Sequence, residues 1–434
     1  MRTPRLNLNR PEGQGQEPGH RRTARLPGER WAWRGIIRPK WRGTGRAAGA
    51  ALLALAVWQL SACAPQSQPE HVTFRPAPPI ANASLTSVAV LSPSSAWAVG
   101  DTTNSTGMIV RWNGKKWKSV PVPTQVLGLT SVSASSPSSA WAVGYNRLGD
   151  ALSMHWNGTE WRPVRVPMGP GDLNAVAADT ARNAQDAWAV GDIGSGKAVA
   201  LHWDGGSWQP TSIPASAARG TLFGVTAISP DDAWAVGRAP TNTPLVLHWN
   251  GTAWSQMPYA ASTEDGNSAL YSVTVVSPDN AWAVGAVAKD PIIAHWNGKT
   301  WQNVPSPIPQ GGGYLNGVAA TSANGVWATG QATGTNENVA PNALIEHWNG
   351  NSWQLVPSGT AQATGEDPTD GTQLFQVGAA PPGTSTASSG TSTASSGGAA
   401  SQSVWLVGTD QSDTGPVIMR WDGTAWKKQS FTSP

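Results

Sequence analysis

The sequence predicts an all-β fold, a seven-bladed β-propeller of four-stranded antiparallel blades, on three observations. Its 434 residues include 25 Trp against four Phe and four Tyr, with 48 Gly and 35 Pro and only 13% charged residues. That composition suits many short strands joined by turns and disfavours a helical bundle. The motif Ala-Trp-Ala-Val-Gly stands at Trp97, Trp141, Trp188, Trp234 and Trp282, with looser copies at Trp327 and Trp405. Each copy is followed by [His/Arg]-Trp-[Asn/Asp]-Gly-x-x-Trp, whose Trp pairs are 112/117, 156/161, 203/208, 249/254, 296/301, 348/353 and 421/426. These seven triplets account for 21 of the 25 Trp.

One repeat, residues 129–167, shows why four strands are expected. Leu129 to Ala134 alternates apolar and small polar residues, a period of two. Ser136-Pro137-Ser138-Ser139 is a turn, with Pro presetting φ. Ala140 to Gly144 is the second strand, and Leu152 to Trp156 the third. Asn157-Gly158 reads as a two-residue type I′ hairpin turn, and the fourth strand runs from Thr159 to Val166. In that register Trp156 opposes Thr159, Met154 opposes Trp161, and both Trp share one apolar face while His155 points the other way. Such a face must pack on something flat, which in a propeller is the next blade. A β-solenoid is the rival architecture, but its rungs need no hairpin in every copy. The blades fall at about 85–124, 129–168, 173–215, 222–259, 270–306, 315–358 and 374–431, within a domain of 85–434. The seventh is split by a Ser/Thr/Gly-rich insert, 381–402, that reads as a disordered segment. His71-Val-Thr-Phe74 could add an edge strand.

The N-terminus has a different character. Residues 1–62 carry twelve basic and three acidic side chains, so without them the formal charge changes from +3 to −6. The basic footprint of a nucleic-acid binder is therefore absent beyond the leader. The basic stretch ends at Arg46, and an uncharged run to Leu60 leads into Ser61-Ala62-Cys63. This is a signal-peptide pattern, too short for a comfortable membrane span. Leu60-Ser61-Ala62-Cys63 resembles the bacterial lipobox, and the resemblance implies lipidation at Cys63 and anchoring to the outside of the bacterial cytoplasmic membrane or to the outer membrane. A simple secretory leader and an uncleaved anchor are the other readings. Residues 63–84, rich in Pro, Gln and Ala, read as a flexible tether.

The repeat pattern resembles the secreted bacterial propellers of the kelch and Asp-box (sialidase-repeat) broad group. Gly114-Lys-Lys-Trp117, Gly298-Lys-Thr-Trp301 and Gly350-Asn-Ser-Trp353 are similar to the end of an Asp box. Trp112 and Trp296 stand where the Asp belongs, and the kelch Gly-Gly pair is absent. The resemblance implies the fold and no particular activity.

The candidate site is reached by elimination. A single Cys excludes a disulfide framework and a Cys-based metal site. Five of the seven His (His155, His202, His248, His295, His347) share one repeat position, occupied by Arg111 and Arg420 in the first and last copies. Spread over five blades, they cannot converge on one metal or substrate, and none is left to serve a Ser-His-Asp triad. No pair of acids stands out for glycoside hydrolysis. No catalytic residue, metal site or cofactor is therefore expected, and the protein reads as non-catalytic. The loops after the second and fourth strands differ among copies and open on one rim. They hold thirteen acids and five bases, with Tyr145, Tyr259 and Tyr314 in or beside them. Variable loops on a rigid frame are where binding usually lives. Tyr145, Tyr259, Tyr314, Asp265, Glu366, Asp367 and Asp370 are the candidate binding residues. They would suit a cationic protein partner, Ca²⁺ at the acidic loops, or a glycan stacked on Tyr. The plainer reading is that the acids only solvate the rim. The expectation is a monomeric, lipid-anchored binding scaffold, with a lectin-like propeller as the alternative and a hydrolase or lyase as the more distant rival.

Overall fold

The computed structural model describes residues 72–80, 83–179, 186–194, 196–259, 268–288, 290–307, 312–332, 342–357, 372–380, 403–410 and 415–431. Cys63, Asp265, Glu366, Asp367, Asp370 and the insert 381–402 lie outside them. The fold is all-β. Seven four-stranded antiparallel sheets follow one another, each made of four consecutive strands in sequence order from the channel outward. Blade 1 comprises Ala83–Ser92, Ser95–Thr102, Gly107–Trp112 and Trp117–Ser119. Blade 7 ends on Trp426–Lys428, and its strands Thr372–Ala379 and Val404–Asp410 pack against the inner strand of blade 1, which closes the ring.

No strand is shared across that closure, so side chains hold it. The second-strand Trp of each blade inserts between the two hairpin Trp of the next. Trp97 meets Trp156 and Trp161, and the series continues through Trp141, Trp188, Trp234, Trp282 and Trp327. Trp405 of blade 7 makes the same contact with Trp112 and Trp117 of blade 1, at 5.1 and 5.3 Å. One partner is met at a tilt and the other edge-on, the arrangement that the aromatic quadrupole favours. Trp97, Trp141, Trp188 and Trp405 are wholly buried, so every junction has an indole at its centre.

The repeated His is part of this frame. His155, His202, His248, His295 and His347 each lie on the second-strand Trp of their own blade, with centroids 4.1–4.4 Å apart. Where Arg replaces His, Arg111 and Arg420 lie over Trp97 and Trp405 as cation–π partners. The Nε2 atoms of His155, His202, His248 and His295 hydrogen-bond Ser139, Asp186, Asp232 and Asn280 at the start of the second strand. Burial lowers the pKa of His155, His295 and His347, which favours their neutral form.

Two expectations need correction. The outer hairpin pairs Trp156 with Trp161, and Met154 with Pro163, so the loop has four residues rather than two. Only Gly158 takes positive φ, at 98°, whereas a type I′ turn needs it at Asn157 as well. The Asn157 side chain instead accepts hydrogen bonds from the amides of Thr159 and Glu160, closing the wider loop. Both Trp still share a face, because they are now direct cross-strand partners. The N-terminal segment does form an extra strand, but Phe74–Arg75 pairs with Val122–Pro123 in the link between blades 1 and 2 rather than extending a blade.

Candidate site at the mouth of the central channel

The inner strands surround a central cavity of about 390 Å³. Each inner strand carries a β-bulge one residue after its buried Leu: after Leu85, Leu129, Leu173, Leu222, Leu270, Leu315 and Leu374. The Gly of Ala-Trp-Ala-Val-Gly lies opposite that Leu. A Cβ on Gly100 would come 1.9 Å from the Ser84 carbonyl oxygen, so the motif needs Gly for this close approach.

The bulged residue is one point at which the copies diverge. In blades 1, 2, 3 and 6 it is polar and latches the next blade. Thr86 donates to the Leu129 carbonyl at 2.8 Å, Thr130 to Leu173 at 2.7 Å, Asn174 to Leu222 at 2.8 Å and Asn316 to Leu374 at 3.4 Å. In blades 4, 5 and 7 it is Phe223, Tyr271 or Phe375, all half-buried at the cavity wall. The Phe223 and Tyr271 rings meet edge to face at 5.6 Å.

Charged groups stand at the neighbouring strand ends of blades 3 and 4. Asp172 and Asp192 are cross-strand partners at the upper end of blade 3. Burial raises the Asp192 pKa and the Asp172 charge raises it further, while a hydrogen bond from Asn174 and the charge of Arg238 pull it back. Arg238, at the matching position of blade 4, also opposes the upward shift that burial imposes on Tyr271. Tyr314 of blade 6 follows, its hydroxyl donating to Gln331 and its pKa pushed up to about 12 by burial and then by Tyr271. An arc across blades 3 to 6 thus combines a carboxylate pair, an arginine, an amide and two phenols within electrostatic reach.

The Tyr selected from the sequence lie in different settings. Tyr314 belongs to this arc. Tyr145 lies at the same level of blade 2, its ring over Gly128 of its own blade. Tyr259 lies at the outer edge, forms a parallel bridge with Trp301 of the next blade and donates its hydroxyl to Asn303. Burial raises its pKa. Phe431 makes the equivalent bridge to Trp117 across the closure. Sequence reasoning passed over Tyr271, and it counted Asp172, Asp192 and Arg238 among the rim charges without selecting them as candidate binding residues. The available signal was the residue after the repeated Leu, which changes from Thr or Asn to Phe or Tyr among copies.

Glu346 is the other ionisable group out of keeping with its surroundings. It is fully buried on the third strand of blade 6, where Leu201, Leu247 and Met419 occupy the same repeat position. Ser306 donates to its Oε1 at 2.6 Å, while Oε2 has no partner. Burial pushes its pKa to about 7 despite the Ser306 hydrogen bond. No group of three or more His, Cys, Asp or Glu among the described residues could hold a metal ion.

No family model and no curated protein matches the chain. Solved structures do resemble it. YCF48 from Cyanidioschyzon merolae is 14% identical with a TM-score of 0.49, covering 80% of this chain and 98% of that one. A fucose-specific lectin from Aleuria aurantia is 12% identical with a TM-score of 0.49, covering 83% and 98%. The propeller domain of the Trilobed protease from Pyrococcus furiosus, which has an open velcro topology, is 11% identical with a TM-score of 0.49, covering 81% and 99%. Likeness at this level assigns no ligand to the chain.

Proposed function

We propose that the chain is a lipid-anchored, extracytoplasmic propeller that acts as a non-catalytic binding scaffold through the face where its variable loops open. One observation carries this reading. Seven copies keep the same Trp and His or Arg at every junction, yet differ at the channel mouth, where a mixed cluster of Asp172, Asp192, Arg238 and Tyr271 gathers. A frame that uniform supports rigidity, and divergence at the channel mouth supports recognition there. The five framework His are engaged in stacking, which favours binding over general-base chemistry. The basic leader and Leu60-Ser61-Ala62-Cys63 favour a lipid on Cys63 and a place on the outer side of the bacterial membrane. The likeness to Asp-box propellers is compatible with that location. Asp265, Glu366, Asp367 and Asp370 would give the loop face its acidity toward a protein partner. A glycan-binding role is the second reading, favoured by the Phe223–Tyr271 pair.

Two measurements test this. Mass determination of the mature N-terminus should find an acylated Cys63, and an unmodified chain beginning elsewhere rejects the anchor. Reversing the charges of Glu366, Asp367 and Asp370 should weaken capture of a membrane-derived partner and flatten its salt dependence. Unchanged capture removes the acidic rim from the account.

A further inference from the structure

Within that scaffold reading, on which this inference rests, we propose that the channel mouth between blades 3 and 6 is a single binding site for one neutral, polyhydroxylated ring, a sugar unit. The first argument is what the frame gives up there. Thr86, Thr130, Asn174 and Asn316 latch neighbouring blades from the bulge. Phe223 carries no donor for such a latch, and neither does Phe375. The junction after blade 4 thus exchanges a hydrogen bond for half-buried aromatic surface on the channel. That surface is of use to a ligand with an apolar face.

The second argument is charge. Asp172 and Asp192 only accept hydrogen bonds when ionised, Arg238 only donates, and Asn174 does both. An anion would meet the two carboxylates, and a cation would meet the guanidinium. Hydroxyl groups serve both kinds of partner, and a sugar ring places them along its edge while its C–H face rests on Tyr271. The third argument is room. Asn174, Phe223, Tyr271 and Asn316 are the arc's share of the channel wall, and the channel cavity of about 390 Å³ is within the roughly 300–1,000 Å³ typical of small-molecule sites; Asp172, Asp192 and Arg238 stand beside it at the strand ends. Among the described residues only one arc of the channel has this combination, so one site is expected rather than one per blade.

Calorimetric titration of the mature full chain tests the site. The probes are D-glucose, D-galactose, D-mannose and N-acetyl-D-glucosamine, with tetramethylammonium chloride and sodium acetate as charged comparisons. At least one neutral sugar should bind saturably at one site per chain. Tyr271→Ala and Asp192→Asn should each weaken it about tenfold or more. Tyr271→Phe keeps the ring and should retain most of the affinity, even if the alanine variant fails to fold. Asp232→Ala, on the His frame away from the cavity wall, should leave binding unchanged. The proposal is overturned if no neutral sugar binds, if tetramethylammonium or acetate binds more tightly, or if the Tyr271 and Asp192 variants bind as well as the parent. Partner capture by the Glu366, Asp367 and Asp370 charge-reversal variant, measured on the same preparation, separates the two readings. Loss of that effect alone rejects the rim, and loss of sugar binding alone rejects this site.

Discussion

The outer and inner levels of the ring solve the same problem in different ways. At the outer level all seven junctions use an indole between two indoles, and even the closing junction conforms. At the inner level four junctions use a side-chain latch and three carry an aromatic residue in its place. Where residues must do the same work seven times, repetition persists. Where they vary although the backbone bulge persists, more than one kind of contact holds neighbouring blades: four side chains donate hydrogen bonds, and Phe223 packs on Tyr271 across the junction of blades 4 and 5.

The largest expected effect lies at the outer level. Trp188→Ala and Trp405→Ala each remove a wholly buried indole and should cost about 3–5 kcal/mol in urea unfolding. Similar losses would show that the closing junction is energetically like the internal ones, whereas a much smaller loss for Trp405 would show a weak seam. Glu346 comes next. The unfolded chain releases its proton near 4.5, but the folded chain holds it to about 7. Stability from that proton is complete below 4.5 and is lost as pH rises through 7, a swing of about 3 kcal/mol. Glu346→Leu, matching blades 3 and 4, should remove this pH dependence and raise stability above pH 7 in the same assay.

At the inner level Thr130→Val deletes the latch to Leu173 and should cost about 1–2 kcal/mol. A neutral result would mean that the bulge holds without it. The smallest effect belongs to the His frame. Asp232→Ala leaves His248 stacked on Trp234 but removes its hydrogen bond, a loss of roughly 1 kcal/mol or less for a partly exposed pair. A loss as large as that for Trp188→Ala would show that the polar partner, not the stacking, positions the ring.

The sequence revealed most of the architecture because Trp is rare and its spacing cannot arise from unrelated constraints. Trp156 and Trp161 could be placed together on one apolar face that packs on a neighbouring blade. The hairpin register could not be read correctly, because Asn157-Gly158 suits either a tight turn or a wider loop closed by the Asn side chain. Choosing between them depends on which Trp faces which, a matter of packing. The bulge was hidden for a similar reason. Leu-Thr-Ser and Leu-Phe-Gly both pass for simple alternation, so Tyr271 and Phe223 read as ordinary strand residues. Arg238 and Asp192 stand 46 residues apart and come within electrostatic reach only because consecutive blades place matching positions side by side.

Each blade uses only its own four consecutive strands, so the seam between the first and last blades shares no strand, as at the other seams. The order in which the blades are written in the gene is then not part of the architecture. A circularly permuted chain, opened at another inter-blade link and joined through the present ends, should assemble the same disc.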